Sequence, residues 1–253
     1  MQSTKNKEYQ DSVIAIALQA GALLMRYFVE GHKVSTKEDN SPVTNADIEA
    51  NTLISEALQA LDATIPVIAE EDETLGDSAA RFWLVDPLDG TRAFVAGEPE
   101  FTVNIGLIEN GVPTFGVIFV PAQSLLYYGT VGQGAYRVKD GGTPEKIHVR
   151  ARPEDGVTVV KSKSHPSPKT EAFLSTMKVK EMIAGSSSVK FCQVAEAAAD
   201  IYPRLGRTME WDTAAGHAIL SAAGGKVIVA ETGAPLTYGK AGFENPHFIA
   251  LGY

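Results

Sequence analysis

The chain has 253 residues, 44% of them hydrophobic and 21% charged, with a formal net charge of −9 at pH 7. This length supports a well-buried core, as one large α/β unit or two packed subdomains, and the composition excludes a disordered or fibrous class. The acidic balance and the lack of a Lys/Arg block exclude a nucleic-acid duplex bound by counterion release, yet carboxylates holding divalent cations still admit a small phosphorylated substrate.

The first residues lack an apolar signal core, and no later run reads as long enough to span a bilayer; contact with a membrane surface and oligomeric state stay open. Over 12–28, Val13, Ile14, Ala17, Leu18, Gly21, Leu24, Met25 and Phe28 recur at helical spacing and predict an amphipathic helix. The polar segment 33–45 precedes a second predicted helix over 46–61, with Thr44 or Asn45 as its N-cap. Residues 66–69 read as a short strand that delivers Glu70, Glu71 and Asp72 at its end. A second apolar strand, 82–85, stops at the loop Asp86-Pro87-Leu88-Asp89-Gly90-Thr91. An antiparallel meander is expected over 101–108, 114–120, 125–130 and 134–138. The Gly- and charge-rich stretch 139–153 then divides an N-terminal subdomain (1–150) from a C-terminal one (151–253) within one compact unit. Beyond it, strands over 157–161 and 226–230 alternate with helices over 169–177, 189–199 and 212–223. Cys192 is the only cysteine, which rules out an intrachain disulfide or a cysteine-rich zinc site and points to reducing cytoplasm.

Asp86 and Asp89 are separated by Pro87 and Leu88, so one tight loop can turn both carboxylates toward a single point. Two anions that close need a cation, and Mg²⁺ prefers such hard oxygen ligands. A solvated turn is the plainer reading of the hexapeptide, but the apolar strand upstream places Asp86 at the end of a buried element. Glu70-Glu71-Asp72 reads either as an exposed acidic loop or as a ligand source. Asp212, after Trp211, reads either as the N-cap of its helix or as a ligand. Capping of the second helix alone would explain much of the segment before it; in the other reading Asp47 accepts a proton from a nearby hydroxyl, with Thr91 the candidate to position a metal-bound water. Gly132-Gln133-Gly134 lies in a hairpin context with Arg137 where a dinucleotide fingerprint has its last glycine, and no zinc-protease or phosphate-loop motif occurs. His217, on an Ala-rich helix, reads as packed.

In order, Ser41-Pro42-Val43-Thr44-Asn45-Ala46-Asp47, Glu70-Glu71, Trp83-Leu84-Val85-Asp86-Pro87-Leu88-Asp89-Gly90-Thr91 and Trp211-Asp212-Thr213-Ala214-Ala215-Gly216 resemble the inositol monophosphatase superfamily of lithium-sensitive, magnesium-dependent phosphatases. The resemblance spans nearly the whole chain and implies a layered α/β/α/β sandwich. It further implies two or three Mg²⁺ ions held by Glu70, Asp86, the Leu88 carbonyl, Asp89 and Asp212. Thr91, paired with Asp47, would activate the attacking water, and the backbone at Gly90 and Thr91 would cradle the phosphate. The second half, Gly185-Ser186-Ser187-Ser188-Val189-Lys190 and Ala199-Asp200-Ile201-Tyr202-Pro203-Arg204, is most similar to the CysQ-type 3'(2'),5'-bisphosphate nucleotidase branch. That branch implies release of the 3'-phosphate of adenosine 3',5'-bisphosphate to leave AMP, in sulfur assimilation. Ser187, Lys190 and Arg204 would contact substrate, with Ser164-His165 a weaker match. Arg92 departs from the family pattern, where many relatives carry Thr or Ser, and substrate choice could shift there. The alternatives are an inositol or histidinol phosphate substrate, or a non-enzymatic module that senses a nucleotide or a metal.

Overall fold

The computed structural model describes residues 2–37, 42–72, 79–162 and 167–253, the side chains of 2–6 excepted. Helix α1 (Gln2–Glu30) leads into a two-stranded sheet of β1 (Val34–Thr36) and β2 (Pro42–Thr44), then helix α2 (Asn45–Leu61). Next come β3 (Val67–Ala69), β4 (Arg81–Asp89) and the short helix α3 (Thr91–Val95). The meander follows as β5 (Thr102–Glu109), β6 (Val112–Val120), β7 (Leu125–Thr130), β8 (Gly134–Lys139) and β9 (Glu145–Ile147). The remainder is β10 (Val157–Ser162), α4 (Pro168–Leu174), β11 (Val179–Gly185), α5 (Val189–Ala195), β12 (Ile201–Arg204), α6 (Ala214–Ala222), β13 (Lys226–Val229) and β14 (Phe248–Leu251).

Strands β3 to β9 form one seven-stranded sheet in chain order, and the second sheet runs β11-β10-β12-β14-β13. Strand alternation sorts the side chains into layers. Trp83, Val85, Val103, Ile105 and Val117 face α1 and α2, where they meet Val13, Ala17, Leu24, Ile54 and Leu58. Phe82, Leu84, Ile108, Ile118 and Tyr127 face the other way, onto α5 and α6, and the inner face of the second sheet closes the same core with Val160, Tyr202, Phe248 and Ala250. The expected α/β/α/β order is present. Helix α4 adds an outer cover, packing Phe173 and Leu174 on Val157, Val159, Ile201 and Ile249. Helix α1, contrary to the sequence reading, is long and apolar enough to cross a bilayer by length and composition. Its buried residues Val13, Ile16, Ala17, Ala20 and Leu24 instead line the first core.

Three glycines decide how close α6 comes. Gly106, Gly116 and Gly129 pair across β5, β6 and β7 and form a bare groove on the inner face of the first sheet. The small residues Ala214, Ala215 and Ala222 of α6 lie in it; a Cβ at Gly116 would stand 2.3 Å from the Ala215 carbonyl oxygen. Because the residues just before α6 carry Asp212, this groove also sets the height of that carboxylate. Gly116→Ala is expected to destabilise the protein by roughly 1–3 kcal/mol, as overpacking does, with the loss read from urea denaturation. An unchanged midpoint would mean that α6 docks more loosely than this packing implies.

The elements depart from the sequence reading at several points. Strand β4 runs on through Asp86 to Asp89 and does not stop at Val85. β9 lies inside the stretch expected to be a boundary, and β11, β12 and β14 were not anticipated. The Gly132–Gly134 run lies at the β7–β8 turn, as its hairpin context indicated.

Candidate metal and phosphate site

Strand register brings the acidic residues together. β3 runs parallel to β4 with Ala69 opposite Val85, and the Glu70 N–H donates to the Val85 carbonyl at 3.1 Å, so Glu70 emerges beside Asp86. Opposite β4, Asp86 pairs with Asn104 and Asp89 with Thr102, three steps against two, which marks a β-bulge. The extra residue has a consequence for side-chain direction. In an uninterrupted strand, positions three apart face opposite ways. Here Leu88 joins Trp83 and Val85 in the helix-side core, so the phase has slipped by one and Asp89 returns to the face of Asp86. Pro87, lacking an N–H, sits where the ladder is broken.

From the far half of the chain, Asp212 arrives in the turn before α6. Carboxylate oxygens of Glu70, Asp86 and Asp212 lie within 4.8 Å of one another. Asp212 does not cap α6; the N-cap is Thr213, and Asp212 Oδ2 accepts the Met209 N–H at 2.8 Å. Burial, then the charges of Glu70, Asp89 and Asp212, push the Asp86 carboxyl well above the usual range. Burial, then Asp89 and Glu70, push Asp212 up to about 8. Asp89 is also raised by burial, offset in part by Lys190 and by the Ser188 N–H bound at 2.7 Å. Hard oxygen donors from three chain segments, crowded and desolvated, suit a divalent cation, which would relieve their repulsion.

The pH consequence follows from the sign of these shifts. Asp212 binds its proton more tightly folded than unfolded, so its contribution favours the folded state below the ordinary value of 3.8 and is lost as pH rises through about 8. In chelator, unfolding free energy is expected to lose this contribution across that interval. The increment added by saturating Mg²⁺ should grow over the same range. Denaturation series with and without metal measure it, and an increment independent of pH would contradict the cluster's role.

Asp47 and Thr91 do meet. Thr44 caps α2, and Asp47 Oδ2 accepts from the Thr44 N–H at 2.8 Å and the Thr44 hydroxyl at 2.5 Å, a capping box. The other oxygen, Oδ1, lies 3.2 Å from the Thr91 hydroxyl, which also reaches the Leu88 carbonyl at 3.1 Å. Asp47 thus serves as both cap and acceptor. Its carboxyl is raised, burial outweighing the hydrogen bonds from Thr44 and Thr91.

A cavity of about 430 Å³ opens over these groups, lined among others by Glu70, Asp86, Leu88, Asp89, Gly90, Thr91, Ser187, Lys190, Arg204 and Asp212. Gly90 holds φ +95°, and a Cβ there would stand 2.6 Å from Ser187 Oγ. Ser187 in turn donates toward the Asp89 and Glu100 carbonyls at 3.2 and 3.3 Å. Lys190 is 5% exposed. Its Nζ donates to the Ser187 carbonyl at 2.5 Å and lies 5.3 Å over the Tyr202 ring. Burial pushes Lys190 down to about 8, against the pull of Asp89 and with Arg204 adding to the shift. Ser41, Ser164 and His165 lie outside the described residues. His217 is packed, its Nδ1 3.1 Å from the Tyr238 hydroxyl.

Sequence reasoning missed Lys37. Its ammonium holds Glu70 at 2.9 Å and Glu71 at 2.5 Å, so a basic group flanks the cluster, while Glu70, Asp86 and Asp212 all line the cavity. Nothing in the polar segment around Lys37 signals that placement. Arg92, Arg207, Thr208 and Trp211 also line the cavity, Arg92 at the position where the sequence departs from the family pattern.

The inositol monophosphatase family model matches residues 5–247. The chain belongs to the inositol monophosphatase family. Among curated members, the 3'(2'),5'-bisphosphate nucleotidase CysQ of Escherichia coli K12 is 42% identical over 246 residues, which cover 94% of this chain and 97% of that protein. The crystal structure of CysQ from Bacteroides thetaiotaomicron, a bacterial member of the family, superposes with a TM-score of 0.83 at 39% identity, covering 96% of each chain. The Thermotoga maritima inositol monophosphatase superposes with a TM-score of 0.78 at 26% identity, covering all of this chain and 92% of that one. The family is metal-dependent, and the acidic cluster gives this member donors for a metal.

Proposed function

We propose that the chain is a Mg²⁺-dependent 3'(2'),5'-bisphosphate nucleotidase, acting in the cytoplasm, that converts adenosine 3',5'-bisphosphate to AMP and phosphate. The observation that carries the reading is the pairing of a buried acidic cluster with basic residues in one cavity. Glu70, Asp86 and Asp212 line it as a cluster, and Lys190, Arg204 and Arg207 line it as well. A phosphate monoester alone asks for the first group; a second phosphate asks for the second. CysQ relatives that match nearly end to end support the choice of substrate.

Divalent cations held by Glu70, Asp86, the Leu88 carbonyl, Asp89 and Asp212 would neutralise the transferring phosphate and acidify the attacking water. The Thr91 hydroxyl orients that water and passes a proton to Asp47, whose burial makes it a stronger base than an exposed aspartate. The water oxygen bonds to phosphorus as the bond from phosphorus to the ribose 3'-oxygen breaks, and that oxygen takes a proton from solvent water as it leaves. Gly90 and Thr91 hold the phosphate with backbone N–H groups, and Ser187, Lys190 and Arg204 hold the nucleotide's remaining phosphate. His165 joins this set by resemblance alone.

Phosphate release from adenosine 3',5'-bisphosphate, inositol 1-phosphate and histidinol phosphate, each with and without Mg²⁺, tests the proposal. The bisphosphate should be strongly preferred. Preference for either of the others would reject the substrate while keeping the phosphatase, and indifference to Mg²⁺ would reject the metal chemistry.

A further inference from the structure

Two residues before Asp212, Glu210 is completely buried. A carboxylate so placed needs partners, because removing its charge from water is costly unless it is paired and hydrogen-bonded. One segment, at Gly239 and Lys240, holds its carboxylate. Glu210 Oε2 accepts the Gly239 N–H at 2.7 Å, and Oε1 accepts the Lys240 N–H at 3.0 Å and the Lys240 ammonium at 2.5 Å. Its backbone is tied as well. The Glu210 N–H donates to the Phe243 carbonyl at 2.8 Å, and the Glu210 carbonyl accepts the Thr213 and Ala214 N–H groups at 3.1 and 2.9 Å, closing the turn that contains Asp212.

Asn245 grips the same turn from its other end. Its N–H donates to the Thr208 carbonyl at 2.9 Å, and its side-chain amide donates to the Met209 carbonyl at 2.7 Å and to the Thr213 hydroxyl at 3.0 Å. Residues 208–213 are therefore fastened to residues 239–245 by a half-buried ammonium on the buried Glu210 carboxylate and by a buried amide. We infer that Glu210, Lys240 and Asn245 are positioning residues that hold Asp212 at the height where it meets Glu70 and Asp86, and that the 239–245 segment thereby sets divalent-metal affinity. The inference rests on the proposed role of Asp212 as a ligand.

Calorimetric titration of the purified full chain with Mg²⁺ tests it. Groups that orient a ligand typically change affinity by ten- to a hundredfold when removed, so Glu210→Gln and Asn245→Ala should each weaken Mg²⁺ binding by about tenfold. Arg150→Met, which breaks the pair between Arg150 and the buried Asp200 and does not line the cavity, serves as a stability control. It should lower the urea midpoint while leaving Mg²⁺ affinity unchanged. Should Glu210→Gln fail to fold, Asn245→Ala carries the test alone. Wild-type affinity in the Glu210 and Asn245 variants, with Asp212→Asn impaired, would overturn the clamp alone. Losses of affinity that simply track stability in all variants, the control included, would also overturn it. Wild-type affinity in Asp212→Asn would overturn the metal site beneath it.

Discussion

Asp86→Asn is expected to lower Mg²⁺-dependent phosphate release by at least about a thousandfold, some 4 kcal/mol of transition-state stabilisation, while making the metal-free protein more stable at pH 8. Both effects have one cause. Asp86 is 1% exposed and stands among Glu70, Asp89 and Asp212, so its ionised form is unfavourable until a cation arrives. An asparagine removes the charge and keeps an oxygen for the Leu88 N–H, which Asp86 Oδ1 accepts at 3.1 Å. Stability gained where activity is lost is the signature of a site strained for function. Steady-state assays and denaturation in chelator measure the two halves. An active variant, or an inactive one that is also less stable without metal, would contradict the account of this residue.

Thr91→Val should reduce kcat by about a hundred- to ten-thousandfold, the range typical of lost proton transfer, with Mg²⁺ affinity little changed. Valine nearly preserves shape and burial, so the substitution removes chiefly the hydroxyl that lies 3.2 Å from Asp47. Thr91→Ser should recover most of the activity. Because Thr91 and Asp47 act as a unit, adding Asp47→Asn to Thr91→Val should cost little more than either change alone. Additive losses would mean that the two residues contribute independently. Asp47→Asn is not expected to unfold α2, since an asparagine oxygen still accepts the Thr44 N–H of the capping box.

Much of this was legible in the chain. The stripe from Val13 to Phe28 belongs to a helix because its apolar side has a sheet to cover, and the motif around Asp86 brings that carboxylate beside Glu70 and Asp212. What escaped was set by partners distant in sequence. Asp86 and Asp89 share a face only because β5 enforces a bulge opposite Asn104 and Thr102. β11 hid because Lys180, Glu181 and Met182 are exposed on an edge strand, so no alternation shows. β12 contains Pro203, which argues against a strand, yet β10 pairs with it only at Ile201 and leaves Pro203 clear of that neighbour. Lys37 and Glu210 carry no local signal at all. Each is an ordinary charged residue until the fold brings its partners from 33 and 30 positions away.

The central claim is that Glu70, Asp86 and Asp212 converge to hold divalent cations beside the cavity, and anomalous diffraction from crystals soaked in Mn²⁺ tests it most directly. The account predicts strong peaks within coordination distance of all three carboxylates. A map without peaks there, with Mn²⁺ bound only elsewhere and Lys37 still seated on Glu70, would contradict it.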